Sequence, residues 1–137
     1  IVGDTNGLGD QFPRNLVDGR ALRLRLLGDV ENIAEHMAWA DVAISAGGST
    51  CLELAFMGLP NVILVLADNQ RAAAWGLASA GASVDLGWYE DVAVEDIATT
   101  VSGLLEGADQ RRTMSQVGRG LVDGFGSRRV LEEALLC

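Results

Sequence analysis

Residues suited to binding a phosphate group cluster between positions 46 and 53, where the chain reads Ala-Gly-Gly-Ser-Thr-Cys-Leu-Glu. An apolar run ending in Ile44 and Ser45 comes before the two glycines, and a helix-length segment follows them. Glycines let a ligand approach the backbone closely, and the free amides and positive end of a helix attract anions. Ser49 and Thr50 add two hydroxyl groups. The segment therefore has the parts of a diphosphate cradle.

The glycine pair is a weak signal when it is taken alone. Gly47 and Gly48 are not followed by the Lys of a P-loop, and they do not form the Gly-x-Gly-x-x-Gly fingerprint of dinucleotide-binding folds. A plain strand-to-helix turn, in which Ser49 caps the helix, explains the same residues. The pattern by itself leaves both interpretations open.

Acidic and amide side chains follow the glycine pair at two places. Glu53 stands one turn into the predicted helix, and a carboxylate is the usual partner of a ribose diol, although the helix dipole also favours an acid there. Asp68, Asn69 and Gln70 follow the next apolar run, on the side of a parallel sheet where ligands bind. The alternative is that Asp68 or Asn69 caps the next helix.

Candidates for catalysis are few. His36 is the single histidine and has no Ser or Cys partner nearby in sequence, so we expect a surface residue of a helix. Cys51 stands in the first turn of a helix, where a thiol can have a lowered pKa, but no base accompanies it and a small packed residue is the better interpretation. Because His, Asp and Glu show no metal-ligand spacing, we expect neither a metal nor a cofactor.

Short β-rich runs alternate with helix-length amphipathic segments along the whole chain, which is the pattern of parallel strands joined by crossover helices. We therefore predict an α/β fold. Residues 62–66 form the most continuous apolar run and predict a central strand covered on both faces, and residues 42–45 predict another buried strand. The remaining strands are predicted at 1–3, 22–26 and 83–86, with helices at 14–19, 32–39, 49–57, 71–80, 94–105, 109–122 and 127–136. The tryptophans are expected to be core or packing residues; they are Trp39, Trp75 and Trp88.

Charge and composition exclude several classes of protein. The net charge of −9 disfavours a general affinity for nucleic acid or an anionic membrane, because both require clustered basic residues. No apolar stretch reaches the roughly 20 residues of a membrane span. The two cysteines, Cys51 and Cys137, are far apart and form no disulfide framework, which favours a reducing, cytoplasmic setting. With 137 residues, one domain is expected.

Five segments together resemble a known family. In order they read Gly-Asp-Val-Glu-Asn-Ile at 28–33, Ala-Asp-Val-Ala-Ile-Ser-Ala-Gly-Gly-Ser-Thr-Cys-Leu-Glu at 40–53, Gly-Leu-Pro at 58–60, Leu-Ala-Asp-Asn-Gln at 66–70 and Val-Asp-Gly-Phe-Gly-Ser-Arg-Arg at 122–129. This order resembles the C-terminal domain of the UDP-sugar hydrolases of pseudaminic acid biosynthesis, which act on UDP-2,4-diacetamido-2,4,6-trideoxy-β-L-altropyranose and are related to spore-coat polysaccharide proteins. A more distant resemblance is to the peptidoglycan UDP-GlcNAc transferase. The resemblance implies a Rossmann-like, three-layer α/β/α parallel sheet that forms the C-terminal half of a GT-B fold.

The resemblance also implies a role for each candidate residue. It places the ribose hydroxyls at Glu53, the uracil at the backbone of Val30 and the sugar at Asn69 and Gln70. The diphosphate is placed at Gly47, Gly48, Ser49 and Thr50. The family's catalytic histidine belongs to the N-terminal domain, and His36 does not match it, so no catalytic residue is expected in this chain.

The chain opens at Ile1 without a Met, whereas the family's C-terminal domain opens with a strand and a glycine-rich loop that would come before Ile1. We therefore expect residues 1–137 to be a UDP-sugar-binding domain that lacks its first strand and the N-terminal catalytic domain, and to be inactive alone. A sheet of order 3-2-1-4-5-6 without strand 1 has a gap, which re-pairing of strands or a homodimer through exposed strand edges would close.

Three functions remain open from the sequence. The first is the nucleotide-binding part of a hydrolase that cleaves UDP from a 2,4-diacetamido-2,4,6-trideoxy hexose by attack of water. The second is the donor-binding domain of a GT-B glycosyltransferase, which differs in needing an acceptor. The third is a non-catalytic sugar-nucleotide-binding or assembly module, which the lack of a convincing catalytic base favours.

Overall fold

Three parallel strands form one sheet in the computed structural model of this protein, which describes residues 27 and 30–136. The strands are β1 (Ala43–Ala46), β2 (Asn61–Val65) and β3 (Ser83–Trp88), in the order β1-β2-β3. The chain divides into two compact units, Ile1–Ile33 and Ala34–Cys137, and the sheet belongs to the second. The elements predicted before residue 27, and with them the expected gap in the sheet, lie outside the described residues.

Helices connect and cover these strands. In chain order they are α1 (Ile33–Trp39), α2 (Ser49–Met57), α3 (Arg71–Ser79), α4 (Val94–Glu106), α5 (Ala108–Leu121) and α6 (Gly126–Leu135), with short 3₁₀ turns at Asp68–Gln70 and Tyr89–Asp91. Because α2 joins β1 to β2 and α3 joins β2 to β3, each pair of parallel strands has a helical crossover. The predicted α/β fold, Rossmann-like with helices on both sides of a parallel sheet, is confirmed.

Strand β2 carries the core on both of its faces. Ile63 and Val65 pack against residues of α2 and α3, and Val62 packs on the opposite face against Leu104 of α4 and Met114 of α5. All three valine and isoleucine side chains are almost fully buried. This burial confirms the prediction that the continuous apolar run is a central strand.

Helix α2 is held firmly at its C-terminal end. Gly58 follows the helix with φ +71°, a left-handed conformation that favours glycine, and its N–H donates to the Ala55 carbonyl at 2.9 Å. From α5, the Arg119 side chain donates to the Met57 carbonyl through Nε at 3.2 Å and Nη2 at 3.1 Å. Helix α5 approaches α2 closely, because a Cβ at Gly118 would lie 2.8 Å from the Ala55 carbonyl oxygen. These contacts position the opposite end of α2, where the glycine pair lies.

Two predictions about burial are wrong. Strand β1 is not buried: it is an outer strand of the described sheet, and Ile44 is 53% exposed. Trp39 and Trp75 do not belong to the core, since they are 86% and 71% exposed. Their helices turn smaller neighbours inward, and only Trp88 packs against the core as predicted.

Candidate functional site

The glycine pair forms the turn between β1 and α2, at the carboxyl end of the sheet. The N–H of Gly47 donates to the Leu64 carbonyl of β2 at 3.2 Å, which continues the ladder between the two strands. Gly48 is the N-cap of α2, with φ −81° and ψ −160°. The N-terminus of α2 therefore opens at the edge where ligands of parallel α/β sheets bind.

No side chain caps this helix. Ser49 is the first residue of α2 and Gly48 is its cap, so the alternative in which Ser49 caps the helix is wrong. In the first turn the Gly48 carbonyl accepts from the Cys51 N–H at 3.2 Å and from Cys51 Sγ at 2.9 Å. The side chains of Ser49 and Thr50 are exposed. The positive end of the helix dipole is consequently accessible to an anion.

The two glycines differ in how much space the protein leaves beside them. A Cβ at Gly47 would lie 3.1 Å from Gln70 Cβ and 3.2 Å from the Gln70 carbonyl oxygen, so the close approach of this loop favours a glycine. A Cβ at Gly48 would meet no atom closer than Gln70 Nε2 at 4.0 Å. Its backbone angles are extended ones that any residue adopts. Neither packing nor backbone conformation requires glycine at position 48.

Gln70 is brought to the glycine pair by the 3₁₀ turn Asp68–Gln70, which follows β2 after Leu66 and Ala67. Its Oε1 accepts from the Leu66 N–H at 2.9 Å, so the end of β2 orients the side chain. Asn69 lies exposed on the same turn. The interpretation of Asp68 or Asn69 as a helix cap is wrong, because Gln70 precedes α3 and no side chain caps it. Asp68 instead forms an ion pair with Arg71 at 2.9 Å.

The sequence also predicted Glu53 and Val30 as site residues. Glu53 is exposed on α2, one turn beyond Ser49, on the helix that carries the glycine cap. Val30 is half-buried, lies outside regular secondary structure and belongs to the first compact unit. The structure thus brings together the glycine pair, the start of α2 and Gln70, while the roles of Glu53 and Val30 stay predictions.

The two side chains weighed for catalysis both lie on helices, as predicted. Cys51, in the first turn of α2, is fully buried in the core, and this burial raises the pKa of its thiol. The prediction of a packed residue, rather than a reactive thiol, is confirmed. His36 lies half-buried on α1, at whose end its main-chain carbonyl accepts from the Ala40 N–H at 3.1 Å.

A group of side chains that the sequence did not single out lies beside this site. Arg71 stacks on the ring of Trp88 with 4.8 Å between Cζ and the ring centroid, and Glu90 accepts from both Trp88 and Tyr89. The sequence offered Trp88 only as a core residue. The contact with Arg71 could not be foreseen because it joins the start of α3 to the end of β3, which are distant in sequence.

The helices of the described part of the chain include none with the length and apolar character needed to cross a membrane.

Comparisons with known proteins define the class to which this fold and site belong. The glycosyltransferase family 28 C-terminal domain matches residues 15–121, which is most of the chain. The chain therefore belongs to the family of glycosyltransferase family 28 C-terminal domains.

Individual relatives agree with this membership. The chain is 34% identical over 106 residues to the spore coat polysaccharide biosynthesis protein SpsG of Bacillus subtilis, covering 77% of this chain and 31% of that protein. A second relative is the UDP-N-acetylglucosamine--N-acetylmuramyl-(pentapeptide) pyrophosphoryl-undecaprenol N-acetylglucosamine transferase of Methylococcus capsulatus. The chain is 34% identical to it over 116 residues, which cover 81% of this chain and 32% of that protein. The enzyme of the same name from Alkalilimnicola ehrlichii is 32% identical, with the same coverage.

These relatives bear on the choice between transferase and hydrolase. Two of them are named as transferases that use a UDP-sugar, and none of the three is named as a hydrolase. The comparisons thus favour the glycosyltransferase alternative over the hydrolase of pseudaminic acid biosynthesis. The chain spans about a third of the length of these relatives, at 31–32%.

Proposed function

We propose that this chain binds the nucleoside diphosphate of a UDP-sugar and acts as the donor-binding domain of a glycosyltransferase. Membership of glycosyltransferase family 28 supports the reaction class. The names of two relatives, both UDP-N-acetylglucosamine transferases, support uridine as the nucleoside. The site itself supports a diphosphate.

The single observation that carries the proposal is the free space at Gly48. Neither its backbone angles nor its packing requires a glycine, since a Cβ would meet no atom within 4.0 Å except Gln70 Nε2 at that distance. A Ser, Asp or Asn there would cap α2 and stabilise the protein. A glycine instead leaves the helix uncapped and leaves room above its amides. This combination suits a phosphate group that takes the place of the missing cap.

The rest of the nucleotide sugar is assigned around this point. The diphosphate would contact Gly47, Gly48 and the amides and hydroxyls of Ser49 and Thr50. Glu53 would accept from the ribose hydroxyls. The sugar would lie at Asn69 and Gln70, the latter already beside the glycine pair.

The chemical contribution of such a site is electrostatic. When a sugar leaves UDP, the bond between the anomeric carbon and the β-phosphate oxygen breaks, and negative charge grows on that oxygen. The N-terminus of α2 would stabilise the charge through preorganised amides and the helix dipole. The acceptor site and the catalytic base would come from parts of the protein beyond this chain, which is consistent with its span of about a third of its relatives.

Binding is tested by calorimetry with UDP. Replacing Glu53 by Ala should weaken UDP binding by about 1 to 3 kcal/mol, because charge-assisted hydrogen bonds to the ribose are lost. Glu95→Ala is the matched control, since Glu95 is an exposed acid in the first turn of α4. Unchanged UDP affinity in Glu53→Ala would remove Glu53 from the site, and absence of UDP binding in the wild type would contradict the proposed function.

The reaction is tested with this chain joined to the parts that supply the acceptor site and the catalytic base. UDP release from UDP-GlcNAc is followed with and without the N-acetylmuramyl-pentapeptide lipid named as the substrate of two relatives. A transferase releases UDP only when an acceptor is present and joins the sugar to it. Release into water alone would support the hydrolase instead. UDP-sugar binding without release under either condition would support the non-catalytic module.

A further inference from the structure

Five interlocked side chains cross the carboxyl ends of β2 and β3; we call them the aromatic ridge. Arg71 Nε donates to Asp68 Oδ1 at 2.9 Å, and the Arg71 guanidinium lies over the Trp88 ring. Trp88 Nε1 donates to Glu90 Oε2, and the Tyr89 hydroxyl donates to Glu90 Oε1, both at 3.1 Å. One carboxylate therefore orients two adjacent aromatic rings, whose centroids are 5.7 Å apart.

A bulge in β3 directs Trp88 towards this ridge. Ile63 of β2 pairs with Asp85, and Val65 pairs with Trp88, so β3 contains one residue more than β2 between these pairs. Gly87 takes φ +90°, and its N–H donates to Asp85 Oδ1 at 2.8 Å. Because side chains alternate along a strand, a regular β3 would turn Trp88 to the opposite face. The bulge turns it to the face of Val65, and bulges that re-aim a side chain are frequent beside binding sites.

The ridge lies next in line after the proposed sugar position. The glycine pair follows β1, Gln70 follows β2, and Tyr89 and Glu90 of the ridge follow β3; neighbouring strands are about 4.8 Å apart. A nucleotide sugar with its diphosphate at the glycine pair and its sugar at Gln70 runs along this edge in the direction of β3. About one strand spacing then separates Gln70, which follows β2, from Tyr89 and Glu90, which follow β3.

The chemistry of the ridge suits a hexose. Tyr89 is 46% exposed, so its ring can contact the C–H face of a sugar, and the Glu90 oxygens retain lone pairs for sugar hydroxyls. The hydrogen bond from the Tyr89 hydroxyl to Glu90 raises the pKa of Tyr89 and leaves the hydroxyl oxygen able to accept from a sugar hydroxyl. Stability explains the arrangement poorly, since ordering exposed side chains costs up to about 2 kcal/mol each and an exposed ion pair returns less than about 1 kcal/mol.

From these positions we infer that Tyr89 and Glu90 recognise the hexose of the bound UDP-sugar, on the side away from the diphosphate. The inference rests on the proposed function, because it takes the orientation of the ligand from the glycine pair and Gln70. Trp88, Arg71 and Asp68 are positioning residues that hold Tyr89 and Glu90 in place.

The test separates binding of the sugar from binding of UDP. Calorimetry with UDP, UDP-glucose and UDP-GlcNAc identifies the sugar nucleotide that the wild type binds more tightly than UDP. For that ligand, Tyr89→Ala and Glu90→Gln should each reduce affinity about two- to tenfold, the range expected for one lost hydrogen bond or ring contact, while UDP affinity stays at the wild-type value. Tyr89→Phe, which keeps the ring, should lose less than Tyr89→Ala. Trp39→Ala, which removes an exposed aromatic residue from α1, is the control.

Each outcome has a distinct meaning. Loss of sugar-nucleotide affinity at constant UDP affinity supports the inference. If the variants keep the full preference for the sugar nucleotide over UDP, the inference is overturned and the proposed function stands. The same holds if the wild type binds no sugar nucleotide more tightly than UDP. A wild type that binds no UDP overturns the proposed function and this inference with it.

Discussion

Replacing Gly48 by Asp should make this protein more stable and abolish its binding of UDP. Gly48 is the N-cap of α2, and no side chain caps that helix. An Asp at the cap accepts from the amides of the first turn, and its charge complements the helix dipole. The backbone angles φ −81° and ψ −160° suit an L-residue, and a Cβ meets nothing closer than 4.0 Å, so no strain opposes the change.

The magnitudes follow from these facts. Exchanging a glycine cap for Asp contributes a few tenths of a kcal/mol, the dipole adds about 0.3 to 1 kcal/mol, and loss of glycine's freedom in the unfolded chain adds about 0.4 to 1 kcal/mol. Together they give about 1 to 2 kcal/mol, or a melting temperature higher by roughly 3 to 8 °C. Binding loses at least two charge-assisted hydrogen bonds of about 1.5 to 3 kcal/mol each, so UDP affinity should fall more than about 100-fold.

Two assays on the same preparation check this prediction. Thermal unfolding by circular dichroism measures stability, and calorimetry measures UDP affinity. Gly48→Ala separates bulk from charge: its stability should stay within about 1 kcal/mol of the wild type, and its UDP affinity should fall about tenfold. If Gly48→Asp binds UDP as tightly as the wild type, the glycine pair is not a diphosphate cradle. If Gly48→Asp is less stable than the wild type, the first-turn amides of α2 are not open to a capping side chain.

Two further predictions concern stability. Gly118→Ala should destabilise the protein by about 1 to 3 kcal/mol, because the added Cβ would lie 2.8 Å from the Ala55 carbonyl oxygen. Gly120→Ala is the control on the same helix; its Cβ would meet no atom within 4 Å, so this variant should be neutral or stabilising. Equal effects of the two substitutions on unfolding in denaturant would contradict the close packing of α5 on α2. Arg129 lowers the pKa of Asp123 from 3.8 to about 2, so the stability that this pair contributes is present above about pH 4 and is lost as the pH falls towards 2. The melting temperature should fall more steeply between these pH values in the wild type than in Asp123→Asn, and parallel curves would show that the pair contributes nothing measurable.

Much of the fold could be predicted from local patterns. The apolar run of β2, the stop of α2 at Gly58 and the alternation of strands and helices depend on side-chain type and chain conformation within a few residues. For the described residues, the boundaries of the α-helices and strands were predicted to within two residues. Cys51 was predicted to be a packed residue because no base stands near it in the sequence.

The candidate site was predictable in its residue types but not in its geometry. The sequence indicated that glycines and polar residues follow consecutive strands, and parallel pairing then places them at one edge. It could not show that Gln70 reaches the glycine pair, since this depends on the 3₁₀ turn that follows β2. Nor could it choose between Gly48 and Ser49 as the helix cap, because that choice depends on where the backbone turns into α2.

The sequence by itself determined the class of fold and the edge of the sheet at which the polar residues collect, because hydrophobic periodicity and glycine positions act locally. Only the tertiary structure decided which large side chains face inward. Trp75 lies outside because the small Ala74 beside it fits the narrow space between α3 and the sheet. Trp88 turns towards Arg71 because one extra residue in β3 changes the face of the strand on which it stands. A register shift of this kind is a property of two paired strands, and neither strand carries it alone.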